Sequence, residues 1–213
     1  MFTIFNYINP IKLIVLFTFI YCCLFLKKTT IINKCLFSLL LLGLVTEIIN
    51  SICSFYNFKL GFISNFYVIL HHSIWIIILR FHFKLTFINF IIITFISISV
   101  LDIIINKGLF KFNYQTFVLG SLCYLILFIY ESAIQLKKEN LSFFQTNKFL
   151  LLCAPLLFFI GLSFMFGFKS KELTSTYLFM DIKLYSFISF FVNIIYYTLI
   201  NLYIYKEQKL QNG

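Results

Sequence analysis

Runs of about twenty residues that are almost wholly apolar recur along this chain, and nothing else in it limits the fold so strongly. A helix needs about 20 apolar residues to cross the hydrocarbon core of a bilayer, within a range of ~17–25. Cutting the 213 residues at their charged and Asn/Gly punctuation leaves seven such runs, at about 10–26, 35–54, 66–81, 85–105, 114–136, 149–168 and 184–205. Strands of a membrane barrel alternate in polarity over only ~10 residues, so these runs read as helices. A composition of 62% hydrophobic and 11% charged residues, with a mean hydropathy of +0.99, excludes a soluble globule, whose surface would have to be greasy. The same numbers exclude disorder. The fold class expected is therefore an all-α polytopic integral membrane protein, a single seven-helix transmembrane bundle over 1–213. Asn9 is placed to cap the first helix, with Pro10 in its first turn.

Lysine and arginine number 17 against 7 acidic residues, a net charge of +10. The cations come in ones and twos between the apolar runs, as at Lys27-Lys28 and Lys137-Lys138, which is where lipid headgroups lie. An anionic bilayer surface is the partner this pattern favours, and nucleic acid is not. One side collects Lys27, Lys28, Lys34, Arg80, Lys84, Lys137, Lys138, Lys148, Lys206 and Lys209; the other collects Lys12, Lys59, Lys107, Lys111, Lys169, Lys171 and Lys183. The richer side is cytoplasmic by the positive-inside rule. This puts the N-terminus outside and the C-terminus in the cytoplasm, as expected of a multi-pass protein of the cell's inner (cytoplasmic) membrane. The first run lacks a cationic start and a small-residue cleavage site, so it reads as a retained anchor.

Six cysteines fall in or beside the apolar runs without a Cys-x-x-Cys pair, and they read as small hydrophobes. Phe, Ile, Lys, Asn and Tyr are abundant while Ala occurs only at 133 and 154, the skew of an AT-rich genome. The 31 phenylalanines and 13 tyrosines therefore carry less meaning than they would elsewhere. No zinc-protease, nucleophile-elbow, Walker or dinucleotide motif is present, and neither a cofactor nor a metal is implied. His71 and His72 are adjacent, so they point about 100° apart and grip one metal poorly.

An ionisable side chain at membrane depth costs ~2.5–3.5 kcal/mol on insertion scales, so each one is a functional candidate. Helix two carries Gly43, Glu47, Asn50, Ser51 and Ser54 on one stripe of a 3.6-residue helix. Helix three offers His71, His72 and Trp75, and helix four carries Ser99 and Asp102. In the outside-N orientation Glu47, His71 and Asp102 share the outer half. A carboxylate beside imidazole in low dielectric couples their protonation and suits a proton-linked site; a polar pair pinning helix two to helix three is the other reading. Helix five shows Gly120, Tyr124, Leu127, Glu131 and Gln135 on one face, with Glu131 close enough to Lys137-Lys138 to snorkel or pair there. Helix seven presents Asn193 in mid-span, where an interhelical hydrogen bond worth ~0.6 kcal/mol is expected. Pro155 kinks helix six or ends its first turn, and His82 falls in a short loop.

The layout resembles the small seven-helix membrane proteins of Bacteroidota that are often encoded beside sensor kinases or regulators. The features carrying this are the chain length, Glu47 late in helix two, the run Pro155-Leu-Leu-Phe-Phe-Ile-Gly161 and the run Asn193-Ile-Ile-Tyr-Tyr197. The resemblance implies an acidic residue in helix three, where this chain has His71-His72. The function expected is a non-enzymatic membrane sensor or binding module, recognising a small ligand or a proton in its outer half through Glu47, Asn50, His71, His72, Asp102 or Asn193. Having no signalling domain of its own, it acts through a partner protein. The alternative is a small proton- or cation-linked transporter or channel; a lipid-directed membrane enzyme and a structural subunit are further readings.

Overall fold

The computed structural model describes residues 10–56, 58, 61–83, 87–105, 111–167, 176–179 and 182–212. Its helices are α1 (Pro10–Phe25), α2 (Ile31–Phe55), α3 (Gly61–Phe83), α4 (Ile88–Ile105), α5 (Tyr114–Lys137), the single turn α6 (Leu141–Phe144), α7 (Asn147–Gly167) and α8 (Leu184–Asn212). Two short strands, β1 (Tyr177–Phe179) and β2 (Ile182–Lys183), pair antiparallel between α7 and α8. The fold is thus helical and membrane-like, with this small hairpin unforeseen by the apolar count.

Each expected run is helical. Among the described residues six helices are long and apolar enough to cross a membrane; α1, at 16 residues, is apolar but shorter. The differences lie at the ends, where hydropathy is blind. α2 starts four residues early because Thr30 caps it, accepting the Asn33 N–H at 3.2 Å. α3 starts at Gly61 and keeps Phe81–Phe83 helical, so His82 lies in its last turn, not in a loop, with its ring 5.6 Å from that of Phe143. α7 runs through Pro155, and the Tyr124 hydroxyl donates to the Leu152 carbonyl in the turn before it at 2.8 Å. α8 continues seven residues beyond Tyr205 on a polar sequence. The Asn9 cap and Lys59, Lys84, Lys107, Lys169 and Lys171 lie outside the described residues.

α3 is the hub, packed against α2, α4, α5 and α7, while α8 lies along α7 and α1. With α1 against α2 and α5 against α7, the order α1–α2–α3–α5–α7–α8 closes a ring, and α4 rides outside α3 and α5. Side chains meeting inside include Trp75, Ile76 and Leu79 of α3, Tyr124 of α5, Phe159 of α7, and Tyr196 and Ile200 of α8.

The two ends of the bundle differ. At the basic end, Tyr203 donates to Asn33 at 2.7 Å, and Asn147 donates to the Tyr203 carbonyl at 3.2 Å and to Glu207 at 3.1 Å. Lys27 reaches the Gln211 carbonyl at 3.4 Å. These bonds lace the α1–α2 turn and the start of α7 to the tail of α8. The opposite end carries the β-hairpin and the α4–α5 connection. There Asn113 caps α5, accepting the N–H groups of Gln115 and Thr116 at 3.1 and 3.4 Å.

Candidate functional site

Positions 68, 71, 72, 75 and 79 of α3 recur at three- and four-residue steps, so Val68, both histidines, Trp75 and Leu79 form one inward stripe. Both histidines are buried. His72 Nδ1 lies 2.8 Å from the Val68 carbonyl, an oxygen that can only accept, so Nδ1 carries the proton. Nε2 then accepts from the Ser121 hydroxyl of α5 at 3.1 Å, and the neutral ring is satisfied on both sides. Phe159 stacks on it at 4.5 Å and Phe117 meets it edge-on at 4.9 Å. A Cβ on Gly120 would stand 2.7 Å from this ring and 2.9 Å from Phe95, so glycine is what lets α5 come this close.

His71 looks the other way. Its Nε2 is 3.2 Å from the Tyr196 hydroxyl of α8, and the Trp75 indole N–H donates to the same oxygen at 3.1 Å. Indole nitrogen only donates, so the phenol oxygen accepts from Trp75, while the His71 tautomer sets which way the proton of the His71–Tyr196 bond points. The rings of Tyr67, Phe158 and Phe159 stand 5.2, 5.7 and 5.8 Å away. The histidines therefore occupy a packed aromatic core, not a hollow.

Glu47 sits half-buried on α2, nearer the hairpin end, within electrostatic range of Lys12 on α1, Tyr67 on α3 and Tyr197 on α8. Lys12 donates to Ser51 at 2.8 Å, and Ser51 donates to the backbone carbonyl of Glu47 at 2.7 Å. Glu47 thus stands where α1, α2, α3 and α8 meet. One step inward, the Tyr67 ring adjoins His71. Asn50 lies three residues further on the same helix, also half-buried.

The remaining expected residues lie elsewhere. The Asp102 carboxylate accepts from Asn113 and, at 3.2 Å, from the Thr116 hydroxyl. Asn113 also donates its N–H to Asn65 of α3 at 2.7 Å, and Asn65 donates to the Lys111 carbonyl at 2.9 Å. This cluster ties α3, α4 and α5 together at the hairpin end, where a carboxylate also suits the positive start of α5. Beside it an open cavity of about 610 Å³ runs between α4 and α5, walled by Ile98, Leu101, Leu119 and Leu122. Asn193 is buried, but its amide donates to the Ser189 carbonyl of its own helix at 2.7 Å, so the interhelical bond expected of it is replaced by a local one.

The structure brings His71 and Glu47 into one region through Tyr67, places Asp102 in the cluster with Asn113 and Thr116, and sets Asn193 one turn before Tyr197 with its amide turned to its own helix. Lys12, Tyr67, Ser121 and Tyr196 were not marked by sequence reasoning. Tyr196 and Tyr197 fell in the run Asn193-Ile-Ile-Tyr-Tyr197, but nothing set their rings apart from so many other aromatics, and Tyr67 carried no signal. Glu131 is only 3% exposed, so it does not snorkel, yet it stays within electrostatic range of Lys138, and among the described residues its buried Oε1 has no hydrogen-bond partner. All six cysteines are free thiols. Among the described residues no three His, Cys, Asp or Glu side chains gather closely enough to hold a metal.

No protein-family model matches the chain, and no curated protein or solved structure is detectably similar to it.

Proposed function

We propose that the chain is a non-enzymatic membrane sensor that registers a proton at Glu47 in its outer half and passes the change to a partner protein. α1 is read as a seventh crossing. Lys12 near its start meets Ser51 close to the hairpin end of α2, and Lys27 just past its finish meets Gln211 at the basic end. The lysine-rich end is read as cytoplasmic.

The observation that carries the reading is the position of Glu47 between a lysine on one side and the tyrosine–histidine–tryptophan string on the other. When Glu47 takes a proton, Lys12 loses its counter-charge and Tyr67 and Tyr197 lose a neighbouring anion. The hydrogen bonds of Tyr196 to His71 and Trp75 lie one ring beyond Tyr67, and they join α3 to α8. A transporter finds less support, because Trp75 and Tyr124 fill the middle of the bundle.

Trp75 is the one tryptophan in the sequence, so its emission reports on this string without labelling. In lipid nanodiscs the wild-type emission shifts sigmoidally with pH, and in Glu47→Gln the sigmoid is lost. Tyr196→Phe changes the spectrum at every pH, because the indole loses its acceptor. Identical titrations of wild type and Glu47→Gln would overturn the reading.

A further inference from the structure

On the far side of the bundle from α4, an open groove of about 500 Å³ runs between α1 and α8, lined by Phe17, Tyr21, Thr198, Asn201, Leu202 and Tyr205. Asn201 donates to Thr18 of α1 at 3.1 Å and fixes the spacing of the two helices at this depth. The groove does not end in oil. Tyr205 lies at its basic end, and the Lys209 ammonium sits 4.6 Å from the centre of that ring. Lys206 is the next residue along α8 and is exposed, and the α1–α2 turn brings Lys27 and Lys28 to the same end. The acidic residue of this segment, Glu207, is engaged through both carboxylate oxygens, by Asn147 at 3.1 Å and by Gln211 at 3.3 Å. It therefore faces the α7 contact and leaves the cationic charge of the groove mouth in place.

An apolar channel of this size with tyrosines at the headgroup level and lysines at its mouth matches one kind of molecule. The walls take an acyl chain, the tyrosines sit where one end is apolar and the other wet, and ammonium groups meet a phosphate. Basic pockets between transmembrane helices recognise anionic lipid headgroups on this principle.

We propose that the α1–α8 groove is a binding site for an anionic phospholipid, with its phosphate held by Lys206 and Lys209 and one acyl chain lying along Tyr21, Phe17 and Leu202. This site is independent of the Glu47 string. A lipid lodged there braces α8, the helix that carries Tyr196.

Native mass spectrometry of the full chain from detergent micelles tests it, with phosphatidylglycerol and phosphatidylcholine of identical acyl chains as probes. The wild type retains phosphatidylglycerol about thirtyfold better, as two lysine contacts imply. Lys206→Gln with Lys209→Gln removes the preference, and Thr198→Phe, which fills the groove from an exposed position, lowers retention of both lipids. Circular dichroism establishes that each variant is folded. Equal retention of the two lipids by the wild type overturns the proposal, and so does a preference that survives the double lysine variant or a retention of both lipids that Thr198→Phe leaves unchanged. Competition by free glycerol phosphate as strong as that by intact lipid overturns the lipid assignment in favour of a phosphate site. A dimer that forms when lipid is stripped and is lost in Thr198→Phe overturns it in favour of a second copy of this chain.

Discussion

α3 and α4 follow one another in the chain and solve the same problem in opposite ways. α3 buries Asn65, both histidines, Ser73 and Trp75 along with its aliphatic residues, while only Ile88, Phe95 and Ser99 of α4 are buried. Yet α4 is the more apolar helix. In water this ranking would be reversed. In a bilayer the lipid is as apolar as leucine, so grease gives a helix no reason to seek the interior; hydrogen bonds and close ring packing do. The hub is the helix with polar atoms to satisfy, and the greasy helix is left at the rim, held by Asp102 at one end.

The comparison makes a graded set of predictions. The largest is Trp75→Ala, which removes a fully buried indole and the bond to Tyr196; it should cost about 4 kcal/mol, measured by thermal unfolding in micelles followed by circular dichroism. Asn113→Ala removes the α5 cap together with its bond to Asp102, at about 1–2 kcal/mol. Its distinctive sign is hydrogen exchange that quickens in α4 while α3 is unchanged. The smallest is Phe90→Ala on the exposed face of α4, where a change within about 0.5 kcal/mol is expected. If Phe90→Ala costs as much as Trp75→Ala, the distinction between hub and rim is lost.

The helices were legible because twenty apolar residues in a row leave few options, and the error at their ends came from bonds that hydropathy does not weigh. Thr30 and the Asn147–Glu207 contact extend α2 and α8 through polar sequence. The stripe of α2 was legible too, because Gly43 and Glu47 stand out against leucine and isoleucine. What stood beside Glu47 was not. Lys12 was weighed only for sidedness, although it lies in the first turn of α1 and bonds Ser51, and the tyrosines that matter were lost among thirteen. Asn193 and Asp102 show the complementary error. A polar residue inside an apolar run signals that something must satisfy it, but sequence does not say whether that is a distant helix, a helix cap or the carbonyl one turn back. Glu131 fits none of these, for its stripe was read correctly while its buried, unpartnered oxygen has no account in the sequence.

The length of α8 has a consequence of its own. Twenty-nine residues at ~1.5 Å each make a rod of ~43 Å, against ~30 Å of hydrocarbon. About 13 Å therefore stands clear as a handle, fastened near its tip to the first interhelical turn and the entry to α7. The pivot of α8 about Tyr196 that the proposed sensing calls for would sweep that handle through an arc and carry both fastened segments with it. If the proposed partner protein touches this end, it would read a tilt generated deep in the oil without entering the membrane.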